Sequence, residues 1–310
     1  MKPYDLGELQ LRHLLVLQAI SEAGSFWAAA DRLGCSQAAL SQQLATMERV
    51  LGTRLIERSR GRRTCATTEA GRLLLRHADI IVARLRAVHA DFSAFAEGAG
   101  GTIRIGTFES TGTRILPPLL AAFGKSWPDV RVDLTEIAKD DDLLALVESG
   151  ALDLCFAIYP LPDGPFEAVA LLHDPYVLAV AVESSLAARR RRPTVEDLRG
   201  LPLVTFGQGR SVAQVEAFLR SRGIDLNIVF RSNYNGTVQA FAAAGTATAL
   251  APLLTMDRRN RRTKLLGPIR DLPPRVIALA WHRDRYRSPA AKAFVAFAQS
   301  FCKRAANWQY

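Results

Sequence analysis

Several things are missing from this 310-residue sequence, and each absence narrows the field. No stretch approaches the roughly 20 consecutive apolar residues of a membrane span. The N-terminus lacks the charged, apolar and small-residue order of a secretory signal, so a cytoplasmic protein without a membrane partner is expected. Cysteine is scarce: Cys35, Cys65, Cys155 and Cys302 show no paired spacing, which argues against a disulfide framework and suggests reduced thiols. His13, His77, His89, His173 and His282 are scattered without ligand spacing, so no metal site is expected. The sequence also has no G-x-S-x-G elbow, P-loop or H-E-x-x-H, and Gly207-Gln208-Gly209 lacks the third glycine of a dinucleotide loop. No catalytic residue and no cofactor is assigned on this basis, and an enzyme is not expected.

Acidic residues are in deficit as well, 30 against 40 basic ones, for a net charge of +10. The excess is densest at the start: residues 1–90 hold 13 Lys and Arg against 8 Asp and Glu. A basic surface of that kind attracts nucleic acid. The length suggests about two domains, and an apolar share of 49% is that of an ordinary globular core.

Between Leu9 and Leu51 the spacing predicts three helices. On a helical wheel Leu44, Met47 and Leu51 fall within about 40° of Leu40, while Ala38, Gln42, Ala45 and Arg49 lie opposite. Ser25 and Ser36 are N-caps, Gly34 and Cys35 form a turn, and Ala29, Ala30 and Leu33 should face inward. A helix-turn-helix places such a second helix in the major groove, where Ser36, Gln37, Ser41 and Gln42 meet base edges and Ala38 a thymine methyl, and Ser25 at the start of the preceding helix is counted with the DNA-binding residues. A small helical bundle with a solvated face fits the wheel geometry equally well. The basic stretch that follows, Arg58, Arg60, Arg62 and Arg63 broken by Ser59 and Gly61, favours phosphate contact from an exposed turn.

These residues carry a family resemblance. Gly24-Ser25-Phe26, Ala29-Ala30, Leu33, Ser36-Gln37, Ser41, Met47-Glu48, Leu51-Gly52, Leu55, Glu57-Arg58 and Thr68-Glu69-Ala70-Gly71 resemble the winged helix-turn-helix of LysR-type transcriptional regulators. The resemblance continues through Leu116-Pro117, Pro128, Gly150, Leu152-Asp153, Gly245 and Ala251-Pro252, nearly the whole chain. Ala38 stands where many members have Pro, Gln42 where many have Arg, and Thr67 where an apolar residue is usual; the first two bear on base contacts. The resemblance implies a double-stranded DNA operator, a homodimer or homotetramer, contact with RNA polymerase, and a small-molecule effector. Some members sense peroxide through a cysteine pair. Here only Cys155 and Cys302 lie in the effector region, and buried structural thiols are the expectation for both.

Leu74, Ala78, Ile81, Leu85, Val88, Phe92 and Phe95 then alternate spacings of four and three, about three heptads of one long helix. From Thr68 to near Glu97 it would reach about 45 Å. Such a seam suits pairing with a second copy or packing on its own domain. Little domain lies beside it, and family members dimerise through the corresponding segment, so Leu74, Ile81, Leu85, Val88 and Phe92 are assigned to dimerisation. Gly98, Gly100 and Gly101 mark a joint.

Beyond it short strands alternate with helices: strands at 103–106, 130–134 and 154–158 with helices at 114–123 and 141–149, then strands at 176–182, 203–206, 228–230 and 247–251 with helices at 212–222 and 236–244. A strand at 275–281 and a helix at 289–303 return to the first lobe. The runs Arg189–Arg192 and Arg258–Lys264 read as solvated loops. The expected fold is therefore an N-terminal all-α winged helix-turn-helix with a long linker helix, and a C-terminal α/β effector domain of two lobes resembling periplasmic binding proteins. Boundaries are placed at 1–67 for the DNA-binding domain, 68–101 for the linker helix and joint, and 102–310 for the effector domain. Within the last, lobe I takes 102–162 and 273–310 and lobe II takes 163–272.

Ligands of open α/β sheets sit at the carboxyl ends of strands. Thr107-Phe108-Glu109-Ser110, Thr205 to Ser211 and Asn233 to Thr237 fit that place, and by resemblance Thr107, Ser110 and Thr205 hold an effector. Phe108 and Asn235 join them. Singly each reads as a cap or turn residue. Alternating loop directions put Ser110 inside the cleft and Glu109 outside, which favours an acidic or polar organic metabolite near a helix N-terminus, whereas a Glu109 turned inward would favour an amine-bearing or zwitterionic effector. Two readings from other classes, an enzyme with a DNA-binding appendage and a structural nucleoid protein, fit less well, the first for want of catalytic motifs and the second because of the cleft.

Overall fold

In the computed structural model, residues 8–58, 65–97, 101–207 and 209–304 are described. The chain divides into two compact units, Met1–His89 and Ala90–Tyr310.

The first unit begins with α1 (Leu11–Ala23), α2 (Phe26–Arg32) and α3 (Gln37–Leu51). Ser25 and Ser36 cap α2 and α3, accepting the Ala28 and Ala39 amides at 3.2 and 3.1 Å. Between them Gly34 holds φ +62°, a left-handed conformation that costs glycine nothing. Leu17, Ile20, Ala29, Leu40, Leu44 and Met47 form the core, so the stripe on α3 packs as its wheel spacing requires. Leu33 does not face inward: it is the C-cap of α2, one residue past the last helical position, and is exposed. Strands β1 (Ile56–Arg58) and β2 (Cys65–Thr67) pair antiparallel, and Glu48 at the end of α3 accepts the Leu55 amide at 2.8 Å, tying helix to strand. The Arg58 side chain, Arg60, Arg62 and Arg63 lie outside the described residues.

Helix α4 (Glu69–Glu97) starts under a Thr68 cap, whose hydroxyl accepts the Gly71 amide at 2.9 Å and donates to Arg54 O at 2.7 Å. A side chain at Gly71 would run into the Leu55 carbonyl, so glycine is what allows α4 to lie against the strand. The heptad seam divides in two. Ala78 and Leu74 pack with Leu14 of α1, together with Val82 from outside the seam. Ile81, Leu85, Val88, Phe92 and Phe95 are exposed. Leu74 thus packs inside its own unit rather than on an open seam, because α1 covers that turn of the helix.

The second unit runs β3 (Thr102–Thr107), α5 (Glu109–Arg114), α6 (Leu116–Ser126), β4 (Arg131–Glu136), α7 (Asp140–Ser149), β5 (Leu154–Tyr159) and β6 (Phe166–Asp174). It continues with β7 (Tyr176–Ala181), β8 (Pro202–Phe206), α8 (Arg210–Ser221), β9 (Asn227–Ser232), α9 (Asn235–Ala243), β10 (Thr248–Pro252) and β11 (Thr263–Leu266). It closes with β12 (Arg275–His282) and α10 (Pro289–Arg304). Two five-stranded sheets result, ordered β4-β3-β5-β12-β6 and β11-β7-β10-β8-β9. Each mixes parallel and antiparallel pairs: β12 runs antiparallel to β5 and β6, and β7 antiparallel to β10 and β11.

Three expectations are corrected here. The helix expected at 114–123 is two helices that meet at Ile115. Strand β6 was not foreseen, and since it completes the first lobe's sheet against β12, the chain crosses to the second lobe at Pro175 rather than at 163. The end of the 258–264 run, expected as loop, enters β11, where the Lys264 ammonium donates to Ala187 O at 2.6 Å. The first arginine run is an exposed loop as expected, and within it Arg189 and Arg191 bind Asp197 at 3.0 Å and 2.6 Å.

Candidate functional site

On the first unit, Gln37, Ala38, Gln42, Ala45 and Arg49 are exposed along α3 and Ser41 is half-buried, so the helix offers a continuous uncharged strip ending in one cation. The Ser25 and Ser36 hydroxyls are engaged as caps, which fixes where each helix begins. Sequence reasoning did not single out Trp27, 72% exposed on the first turn of α2. An aromatic facing away from the Ala29-Ala30 side was the available signal.

On the second unit a cavity of about 410 Å³ opens between the two lobes. Its walls are strand ends and helix starts: Phe108, Glu109 and Ser110 follow β3, Asp140 begins α7, Thr205 and Phe206 end β8, and Arg210 and Ser211 begin α8. Tyr234 and Asn235 at α9 and Arg275 at β12 complete them. This is where parallel strands point their carboxyl ends.

The expected residues are not all brought together. Ser110, Thr205, Phe108 and Asn235 line the cavity; Thr107 does not. Its hydroxyl lies 2.7 Å from that of Thr111, which in turn donates to Phe108 O at 2.9 Å, so Thr107 fastens the start of α5 instead. The Thr205 hydroxyl donates to Leu250 O at 3.0 Å, and Ser110 Oγ accepts from Arg275 Nη2 at 2.8 Å. Glu109, expected outside, lines the cavity and accepts the Asn235 amide through Oε2 at 3.1 Å, spanning the two lobes. The start of α9 offers amides that draw in a nearby carboxylate, and Glu109 comes from the other lobe to meet the first of them.

Arg275, Asp174, Arg210 and Asp140 were missed. Arg275 Nε donates to Asp174 Oδ2 at 2.7 Å, and both side chains are buried, the carboxylate completely. The available signal was a lone Arg after Pro273-Pro274 opening an otherwise apolar strand, and an Asp before Pro175 closing another. Arg210 crosses between lobes to Asp141, to Asp140 at 3.5 Å and to Pro160 O at 3.2 Å. Burial pushes the Asp140 carboxyl above the usual carboxylate range, against the pull of Arg210.

Comparison with known proteins matches residues 11–72 to the bacterial regulatory helix-turn-helix of the lysR family and residues 96–303 to the LysR substrate binding domain. The chain belongs to the LysR family of transcriptional regulators. Among this regulator's relatives, an uncharacterized HTH-type regulator YcgK of Bacillus subtilis is 30% identical over 305 residues, covering 92% of each chain. The hydrogen peroxide-inducible genes activator of Pectobacterium carotovorum is 29% identical over 290 residues, covering 91% of this chain and 95% of the relative. The full-length structure of CbnR complexed with its target DNA has the same fold, with a TM-score of 0.69 at 24% identity over 94% of this chain and 99% of that one. The family assignment gives the two described units their roles: the helix-turn-helix is the DNA-binding part and the two-lobed unit the effector-binding part. Among the described residues of this LysR regulator no helix is long and apolar enough to cross a membrane.

Proposed function

We propose that this LysR-family chain is a homodimeric, non-enzymatic cytoplasmic regulator in which α3 reads an operator and a small organic molecule in the interlobe cavity shifts the DNA contacts. One observation carries the reading: an uncharged, exposed strip on a capped helix is joined in one chain to a 410 Å³ cavity lined by both lobes. That volume is typical of sites for small molecules. Base reading falls to Gln42 with Gln37, Ser41 and Ala38, phosphate contact to Arg58, Arg62 and Arg63, and pairing to the exposed half of the α4 seam.

Gln42→Ala should cost about 1–3 kcal/mol of operator affinity and relax base preference, whereas Arg62→Ala should weaken all sequences alike and lower the salt slope by about one. Footprinting and salt titrations on specific and random duplexes check this division. Equal loss on both kinds of DNA for Gln42→Ala would reject base reading by α3.

The peroxide-inducible relative raises a second reading, oxidation of Cys155 and Cys302. Both thiols are buried, and burial pushes Cys302 up to about 11 and Cys155 higher still, which starves them of the thiolate that reacts. Maleimide should therefore label neither residue in the folded protein, and the double variant Cys155→Ala, Cys302→Ala should bind DNA like the parent before and after peroxide. A peroxide response present in the parent and lost in that variant would favour the thiol reading instead.

A further inference from the structure

The charges around the cavity are mostly spent on one another. Arg275 is neutralised by Asp174, Arg210 by Asp140 and Asp141, and Glu216 by Arg231 at 2.6 Å. Arg275 also uses one terminal nitrogen on Ser110 and rests its guanidinium 5.7 Å from the Phe108 ring centroid. One place that would hold an anion, the start of α9, is already filled by a carboxylate of the protein: Glu109 accepts the Asn235 amide. Among the described residues, three charged groups that line the cavity have no ion-pair partner: Glu109, Glu136 and Lys139. Glu136 and Lys139 are exposed, and Glu109 is half-buried.

Both carboxylates stand at the α5 side of the cavity. A Cβ built on Gly112 would stand 3.2 Å from Glu136 Oε2, so the Glu136 carboxylate lies over the face of α5 that carries Gly112. Glu109 is three residues earlier in that helix and therefore on the same face. The rest of the wall mixes polar groups with the aliphatic side chains of Ile158, Val212, Val215, Leu226 and Leu250.

From this arrangement we infer that the effector is a protonated organic amine with an apolar body, its ammonium held by Glu109 and Glu136 and its body against the aliphatic wall. The inference rests on the reading of this cavity as the effector site. It reverses the sequence-based expectation of an acidic metabolite, because that expectation needed Glu109 to turn away. An ammonium supplies the missing positive charge and three donors to two carboxylates, one of which has only a backbone amide. A carboxylate ligand would meet those same two groups with like charge, find each arginine already engaged, and have only the exposed Lys139 as an unpaired cation.

The test uses the full chain and pairs of probes matched in skeleton and opposite in charge: phenethylamine with 3-phenylpropanoate, hexylamine with hexanoate, and 1,5-diaminopentane with glutarate. Calorimetry and thermal melting at millimolar concentration should find binding for at least one amine and a weaker or absent response for its carboxylate partner. Glu109→Gln keeps an oxygen to accept the Asn235 amide and removes the charge. It should weaken the amine at least tenfold without weakening the carboxylate, and Glu136→Gln should do the same. A loss of packing would lower both ligands together, so the opposite response separates charge recognition from structural damage.

Val212→Trp, at a half-buried wall position, should block the amine. Failure of every amine to bind, or amine binding indifferent to both Glu→Gln changes, would overturn the inference. Carboxylate binding that Val212→Trp abolishes would overturn the amine assignment and leave the cavity as the effector site. Ligand binding of either charge that survives Val212→Trp would remove the cavity reading as well.

Discussion

Asp174→Asn is expected to destabilise the effector unit by about 3–5 kcal/mol, the usual cost of taking one partner from a buried ion pair. Asp174 and Arg275 face each other directly across β6 and β12, at the strand ends where the chain passes between lobes. Asp174 Oδ2 accepts Arg275 Nε at 2.7 Å while Oδ1 accepts the Leu254 amide at 3.0 Å, and the Arg275 guanidinium continues to Ser110. One carboxylate thus joins two strands of the first sheet, the turn after β10 and the start of α5. The amide of Asn can still accept from Leu254, but it leaves a guanidinium that is 7% exposed without an opposite charge. Replacing both residues, as Asp174→Leu with Arg275→Met, should recover much of the loss, since an apolar pair of similar size carries no desolvation penalty. Urea unfolding of the parent, the single and the double variant measures this. A single-variant loss under about 1 kcal/mol would mean that water reaches the pair.

How much of this was legible in the sequence depends on how far apart the partners are. The helix-turn-helix was legible because its signals are local: Ser25 and Ser36 as caps, Gly34 at a left-handed position, and the Leu40, Leu44 and Met47 stripe all act within a few turns. The alternation of strands and helices in the second unit was legible for the same reason. Strand β6 was not, because Phe166 to Asp174 shows no clean alternation, half-buried, exposed and buried positions following one another without a period of two, and what fixes it is pairing with β12 about a hundred residues later. The candidate site suffered the same limit. Sequence position put Thr107, Ser110, Thr205 and Asn235 near one crevice, but whether a hydroxyl turns to a ligand or back to its own helix is decided by neighbours such as Thr111. Arg275 and Asp174 are separated by 101 residues, and no local pattern announces the pair. Glu109 was placed by a loop argument, which cannot see the amide of Asn235 from the other lobe drawing the carboxylate in.

Leu85→Asp should abolish pairing of the proposed dimer while leaving the chain folded. The argument lies in how α4 spends its apolar residues. Ala78 and Val82 are buried against Leu14, so α1 uses that part of the helix. Ile81, Leu85, Val88, Phe92 and Phe95 follow at heptad spacing and stay exposed, Phe92 at 71% and Phe95 at 68%. Five large apolar side chains along one stripe are more than a solvated helix presents, and a second copy of the same stripe is the partner whose spacing matches. In a symmetric pair each Leu85→Asp change enters twice, so two unpaired charges would have to be desolvated, which the interface cannot offset. Sedimentation should show monomer at micromolar concentration. Operator affinity should fall by roughly 10²–10⁴-fold, because two half-sites are no longer held together at high effective concentration. The contrast is Val82→Asp, one turn away on the buried face, which should unfold the first unit and give altered circular dichroism. Leu85→Asp should leave that spectrum unchanged. An intact dimer in Leu85→Asp at the same concentration would reject α4 as the pairing surface.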